Sequence, residues 1–242
     1  MKSQILGVNF DNLTPEQAKD RFLGLLESEA PSLVVTPNPE MVMLAQRDAN
    51  FMELLNSADL CVPDGIGVVW ASKFTQSVIE QRVPGIDLIL AVFKSRRGRQ
   101  ARYFFLGGAP GVADDAKDAM EAQFPGLRVI DTHHGYFHDD FENEVVERIA
   151  AAKPDIVLVG LGFPRQERWI AANKGRLGAK VLMGVGGSFD VMSGNLRRAP
   201  AVFQKMGLEW LYRLLRQPSR IWRQRVLLKF VFKVLFERMR GK

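Results

Sequence analysis

Five apolar, β-branched runs each end in small or polar residues, and those ends carry the side chains best suited to chemistry. After SLVV comes Thr36-Pro37-Asn38-Pro39-Glu40, after DLCV comes Pro63-Asp64-Gly65-Ile66-Gly67, and after ARYFFL comes Gly107-Gly108-Ala109-Pro110-Gly111. DIVLVGLG leads to Phe163-Pro164-Arg165-Gln166-Glu167, and AKVLMGV leads to Gly186-Gly187-Ser188-Phe189-Asp190. Asp64 stands where the chain turns sharply and a carboxylate can project into a crevice; its structural alternative is to cap a helix opening at Gly65-Ile66-Gly67. Gly107 and Gly108, ahead of a helix from Pro110, let backbone N–H groups approach a phosphate at the positive end of a helix dipole. A tight strand-to-helix turn would call for the same glycines. Arg82 precedes a helix beginning near Pro84 and is otherwise a solvated surface arginine. Gln166 and Glu167 fall in the first turn of a helix, where glutamate also suits the dipole for structural reasons. Tyr136, between Gly135 and Phe137, can contact a base or serve as an aromatic at the edge of the core.

Metal and dinucleotide chemistry are the less favoured readings. His133, His134 and His138 are the only histidines, their spacing matches no standard ligand pattern, and Cys61 is distant in sequence, so no metal site is expected. The glycines depart from the G-x-G-x-x-G fingerprint, and no acidic residue sits convincingly at the ribose-binding spacing, which argues against a dehydrogenase.

The elements that must position these residues alternate. QILGVNF, SLVVT and DLCV are each followed by a helical pattern, and ARYFFLGG, LRVIDT and DIVLVGLG lead into helices from Pro110, Asp139 and Pro164. AKVLMGVGG is a further strand. Thr14-Pro15-Glu16-Gln17 spells a capping box with proline at the first helical position. Runs that are apolar throughout suit a parallel sheet covered on both faces. The expected fold is therefore α/β, a Rossmann-like, doubly wound, mostly parallel sheet. Ligands of such sheets bind beyond the carboxyl ends of the strands, where the residues above fall.

The 242 residues, 47% hydrophobic, are enough for one sizeable core. The N-terminus has no secretory signal pattern and the lone cysteine cannot make an intrachain disulfide, so a cytoplasmic location is expected, with Cys61 filling a strand. The net charge of +6 conceals an asymmetry. Residues 1–195 carry 20 Lys and Arg against 25 Asp and Glu, while residues 196–242 carry 13 against 2. A composition shift near Ser193-Gly194 thus divides a core, residues 1–195, from a basic helical appendage, residues 196–242. Arg213, Arg216, Arg220 and Arg223 recur at helical spacing around Pro218. Trp222, Val226, Phe230 and Val234 form an apolar stripe beside Leu227, Val231 and Leu235, flanked by Arg225, Lys229 and Lys233. This basic amphipathic helix suits an anionic bilayer better than nucleic acid. The structural alternative is a helix packed on its own domain or on a second copy in a homo-oligomer. No segment has the ~18 uncharged apolar residues a membrane span requires.

In order along the chain, eight segments carry a specific likeness: TPNPEMV from Thr36, ADLCVPDGIGVVWA from Ala58, RVPGIDL from Arg82, FFLGGAPGVA from Phe104, HGYF from His134, VGLGFPRQERWI from Val159, GVGGSFDVMSGNLRRAP from Gly184 and GLEWLYRLLRQPSRIWR from Gly207. Together they resemble the WecG/TagA/CpsF glycosyltransferase family over nearly the whole chain. The resemblance implies an inverting, metal-independent transferase that moves N-acetylmannosamine or a related sugar from a UDP-sugar onto a polyprenyl-diphosphate-linked N-acetylglucosamine. Asp64 becomes the general base, Thr36 and Asn38 line the pocket, and Arg82 and Gln166 complete the catalytic set. Arg165 stands where relatives often have lysine.

No cofactor is implied, the UDP-sugar being a substrate. Gly107, Gly108, Tyr136, Arg165, Gly186, Gly187 and Asp190 are the core's expected donor contacts, with the diphosphate held by amides near Gly107 and Gly108 and by Arg82 or Arg165. The resemblance gives the appendage a double role, reaching the membrane at its inner face and completing the active site through Arg213, Arg216, Arg220 and Arg223. Other readings are a relative using UDP-glucose or a UDP-uronic acid, and a nucleotide- or RNA-binding module without chemistry. Removal of residues from about 196 onward is expected to leave a soluble, folded core that has lost both vesicle binding and transfer activity.

Overall fold

The structure is a computed structural model that describes residues 2–75, 77–206, 209, 211–212 and 221–240. Its centre is a six-stranded, all-parallel sheet in the order β4-β3-β8-β7-β5-β6. The strands are β3 (Ser32–Val35), β4 (Leu60–Cys61), β5 (Arg102–Gly107), β6 (Arg128–His133), β7 (Ile156–Gly160) and β8 (Val181–Gly184). Because strand residues alternate between faces, every strand but the edge strand β6 feeds two cores. Phe104 and Leu106 of β5 enter one cluster, and Tyr103 and Phe105 enter the other. Val157 and Val159 of β7 divide from Ile156 and Leu158 in the same way. That double burial explains why these runs read as apolar throughout.

The first core is closed by α2 (Pro39–Ala45), α3 (Ala49–Asn56), α4 (Ile66–Ser72), α8 (Glu142–Ala152) and α9 (Arg165–Asn173). The second is closed by α1 (Pro15–Gly24), α5 (Gly85–Lys94), α7 (Val112–Gln123) and α10 (Ser188–Met192). A short α6 (Arg96–Gln100) leads from α5 into β5. Helix starts follow local chemistry. Thr14 and Gln17 form the expected capping box on α1, and Asn38 caps α2 through Oδ1, which accepts from the Met41 N–H at 3.0 Å.

Two features depart from the sequence reading. QILGVNF is not one strand of the main sheet but a hairpin, β1 (Lys2–Ile5) and β2 (Val8–Asp11), paired antiparallel. The chain reverses at Leu6-Gly7, both with positive φ, a two-residue turn that suits strand twist. The second departure concerns the last helices, α11 (Ala201–Lys205) and α12 (Ile221–Met239). Phe230 and Val234 of α12, with Val226 partly buried, pack into the first core, and α12 lies against α2 and α4. The stripe expected to meet a membrane is thus spent on the protein's own core.

A different side of α12 is open, carrying Leu228, Phe232, Leu235, Phe236 and Met239. Among the described residues no helix is long and apolar enough to cross a membrane.

Candidate active site

Since all six strands run parallel, the residues that follow them lie along one edge of the sheet. In spatial order that edge carries Asp64 after β4, Thr36 and Asn38 after β3, Gly186 to Asp190 after β8, Gln166 after β7, Gly107 and Gly108 after β5, and Tyr136 after β6. Five strand spacings make the row about 24 Å long.

Backbone hydrogen bonds tie the β4 end to the β3 end and to the loop before α5. The Asp64 N–H donates to the Pro37 carbonyl at 3.1 Å, and the Val83 N–H donates to the Pro63 carbonyl at 2.8 Å. Gly85 opens α5 against Thr36, where a Cβ would stand 3.0 Å from the threonine Oγ1. Thr36, Asn38 and Asp64 are all half-buried. The N-cap position of α4 falls on Gly65, at φ 96°, one residue after Asp64. Of the expected catalytic set, Thr36, Asn38, Asp64 and the Arg82 loop are therefore gathered around two neighbouring strand ends.

Arg82 is held rather than solvated. Its Nη1 donates to Glu209 Oε2 at 2.8 Å and its Nη2 to the Gln204 carbonyl. Glu209 also accepts from Arg198 Nε at 3.1 Å, and Arg198 pairs with Asp87 on α5 through both carboxylate oxygens. The Asp87–Arg198–Glu209–Arg82 chain joins the loop before α5 to the segment leading into the appendage. Asp87, Arg198 and Glu209 each lie inside one of the eight segments, but the pairs that tie them to the α5 region, Arg82–Glu209 and Asp87–Arg198, span 127 and 111 residues and leave no local pattern.

Gln166 reaches between the β7 and β8 ends. Its Oε1 accepts from the Gly186 N–H at 2.9 Å and its Nε2 donates to Glu167 Oε1 at 2.7 Å. Toward β6 the glycine turn is tight: Gly107 has φ 141°, and a Cβ there would stand 2.4 Å from the Gly160 carbonyl oxygen. The Gly108 N–H donates to that same carbonyl at 3.2 Å. This corrects the expectation that the Gly108 amide is open to a phosphate: it is engaged within the protein. The N-terminus of α7, capped by Gly111, is the nearby helix end.

Arg165 also has protein partners. It donates to the Gly135 and Phe137 carbonyls at 3.1 and 3.2 Å and stacks over the Phe137 ring, which fixes the loop after β6. Tyr136 on that loop is 73% exposed and borders a cavity of about 380 Å³ shared with His133, His134 and Phe141. Burial holds His133 below the usual histidine range, despite the contrary pull of its bond to the His134 carbonyl. Gly187 and half-buried Asp190 sit at the start of α10. Arg213, Arg216 and Arg220 lie outside the described residues, as does the side chain of Arg223.

The sequence profile of the Glycosyl transferase WecG/TagA/CpsF family matches residues 3–242. The chain belongs to that family. The transferase is also 38% identical, over 236 residues, to N-acetylglucosaminyldiphosphoundecaprenol N-acetyl-beta-D-mannosaminyltransferases of Staphylococcus aureus strains MRSA252, MW2 and NCTC 8325. In each case the match covers 96% of this chain and 92% of the relative. Likeness of that extent takes in every strand end described above as well as the segment from Ala201 to Met239.

Proposed function

We propose that this transferase moves N-acetylmannosamine from a UDP-activated donor onto polyprenyl-diphosphate-linked N-acetylglucosamine, with inversion and without a metal ion. The observation that carries the reading is the gathering of half-buried Asp64 with Thr36 and Asn38 at adjoining strand ends, in a chain so like named mannosaminyltransferases. The acceptor hydroxyl oxygen attacks the anomeric carbon, its proton passes to the Asp64 carboxylate, and the bond to UDP breaks with the electron pair leaving on the diphosphate. Asn38, its Oδ1 engaged on α2, offers amide hydrogens to the donor. Tyr136 offers a ring face to uracil at the far end of the row, and Asp190 offers a carboxylate.

Charge on the departing diphosphate is met by the N-terminus of α7 and by Arg213, Arg216, Arg220 and Arg223. Arg82 and Arg165, both engaged with protein partners, shape the site around them. The exposed side of α12 rests on an anionic bilayer at its inner face: Phe232, Phe236 and Met239 enter the interface while Lys229, Lys233 and Arg238 meet lipid headgroups. That placement brings the active site to its lipid-linked acceptor.

The test is a screen of UDP-sugars against a short-chain prenyl-diphosphate N-acetylglucosamine, with products identified by mass and the assay repeated in EDTA. The expected product gains one N-acetylhexosamine from UDP-N-acetylmannosamine, at the same rate with chelator. Asp64→Asn is expected to bind UDP as wild type does and to lose on the order of 1,000-fold in turnover. Wild-type turnover in that variant would remove Asp64 as the base, and transfer only from a different UDP-sugar would reassign the donor.

A further inference from the structure

We propose that Glu167 is a positioning residue, whose carboxyl group fixes the Gln166 carboxamide so that it meets the substrate as a donor through a single N–H. The inference rests on the reading of Gln166 as a substrate contact. Its basis is a hydrogen-bond chain with only one consistent direction. The Gly186 N–H can only donate, so the amide oxygen of Gln166 must face it, as it does at 2.9 Å. The amide nitrogen then faces Glu167 Oε1 at 2.7 Å and must donate to it. Oxygen and nitrogen of a glutamine look alike in shape, but these two neighbours admit one assignment.

The surroundings keep the pair in place. Gln166 is 5% exposed and Glu167 2% exposed, so solvent does not compete for either. At Gly184, the last residue of β8, a Cβ would lie 2.6 Å from Gln166 Nε2 and 3.1 Å from Glu167 Oε1, so the pair fits only against a glycine. Glu167 Oε2 is buried without a hydrogen-bond partner among the described residues. A buried carboxyl left half unsatisfied costs stability that an apolar side chain of similar volume would spare. What the carboxyl adds over packing is a defined acceptor for Gln166.

Of the two hydrogens on Nε2, one goes to Glu167 and one remains. With Oε1 turned to the Gly186 N–H, that remaining N–H is the group Gln166 presents. It therefore recognises an oxygen acceptor on the substrate, such as a phosphoryl or acetamido oxygen. The same chain anchors the turn after β8 through Gly186, tying two strand ends to one carboxyl group.

The experiment compares full-length Glu167→Met, Glu167→Gln, Glu167→Asp, Gln166→Ala and the double variant Gln166→Ala/Glu167→Met, each checked for folding by its thermal transition. Gln166→Ala is expected to lose on the order of 100-fold in kcat. Glu167→Met is expected to lose about tenfold in kcat with donor KM within about twofold, since the donor group is misdirected rather than absent. Glu167→Asp, whose carboxyl is withdrawn by one methylene, should share that loss, and it serves in place of the methionine variant should that not fold. Glu167→Gln retains an acceptor oxygen and is expected to recover most of the activity.

In the Gln166→Ala background, Glu167→Met should cost nothing further. A purely structural role would instead lower the transition temperature and multiply the two losses. Full activity in both Glu167→Met and Glu167→Asp, or multiplied losses in the double variant, would overturn the inference while leaving Gln166 in the site. Wild-type activity in Gln166→Ala would overturn the reading of Gln166 itself.

Discussion

Burial pushes the Glu167 carboxyl above the usual carboxylate range, and hydrogen bonds from Gln166 and from its own backbone only partly oppose it. A carboxyl raised in the folded state binds its proton more tightly there than in the unfolded chain. Its contribution to stability is fully present below the unfolded value and declines as pH rises through the folded one. Glutamine mimics the protonated form at every pH. Glu167→Gln is therefore expected to match wild type in thermal stability near pH 4 and to exceed it at pH 8 by about 2–4 °C, the effect of ~1 kcal/mol in a chain of this size. Thermal denaturation at the two pH values reads this directly, and a gap independent of pH would show that Glu167 does not titrate in the folded state.

The candidate site was partly legible at this scale. Asp64, Thr36, Asn38 and Gln166 stood out because each follows an apolar run, and strand ends in a parallel sheet share an edge. The partners of Arg82 were not legible, since Glu209 is brought to it by tertiary folding alone. Gly107 and Gly108 showed that a turn was present without showing that the Gly108 amide would be spent on Gly160.

Helix α12 shows how far a periodic pattern carries and where it stops. The spacing of Val226, Phe230 and Val234 announces an apolar stripe, but Leu228, Phe232, Phe236 and Met239 make a second one on the other side. Which stripe meets the core depends on the seat offered by α2 and α4, and no property of the helix itself contains that information. The hairpin at the N-terminus posed a related difficulty: Leu6-Gly7 reverses the chain inside a run whose composition suits one continuous strand. The two stripes of α12 separate cleanly by mutation. Phe230, 1% exposed, should cost about 3–5 kcal/mol when replaced by alanine, a fall on the order of 10 °C in transition temperature. Phe232, 71% exposed, should leave the transition within about 1–2 °C when replaced by serine, and should weaken binding to anionic vesicles about tenfold. Vesicle flotation and calorimetry on the same two variants check this assignment, and the opposite pattern would reverse which side of the helix is docked.

Over the whole molecule, the 20 Lys and Arg against 25 Asp and Glu of residues 1–195 face 13 against 2 in residues 196–242, an asymmetry that sets the appendage apart from the core electrostatically. Excess positive charge on one end draws that end to an anionic surface, an attraction that salt screens over about 10 Å at 0.1 M. Vesicle binding should accordingly fall severalfold between about 0.05 and 0.5 M salt, leaving the apolar share from Phe232 and its neighbours. Attachment to the core has different roots: the burial of Phe230 and Val234, and the Asp87–Arg198–Glu209–Arg82 chain with its largely buried carboxylate at Glu209. Removing one member of a chain like this leaves the other charges short of partners, so Glu209→Ala should both lower stability and loosen the Arg82 loop beside Asp64.

Truncation before residue 196 goes further, taking away the cover over the first core as well as the partners of Arg82 and Asp87. The core alone is therefore expected to be less heat-stable than the full chain, by several degrees, and more prone to associate through the uncovered face of α2 and α4, besides losing vesicle binding and at least 100-fold in transfer. Thermal denaturation and light scattering of the truncated chain decide the structural part. A monomeric core with an unchanged transition would mean that α12 lends the fold no stability.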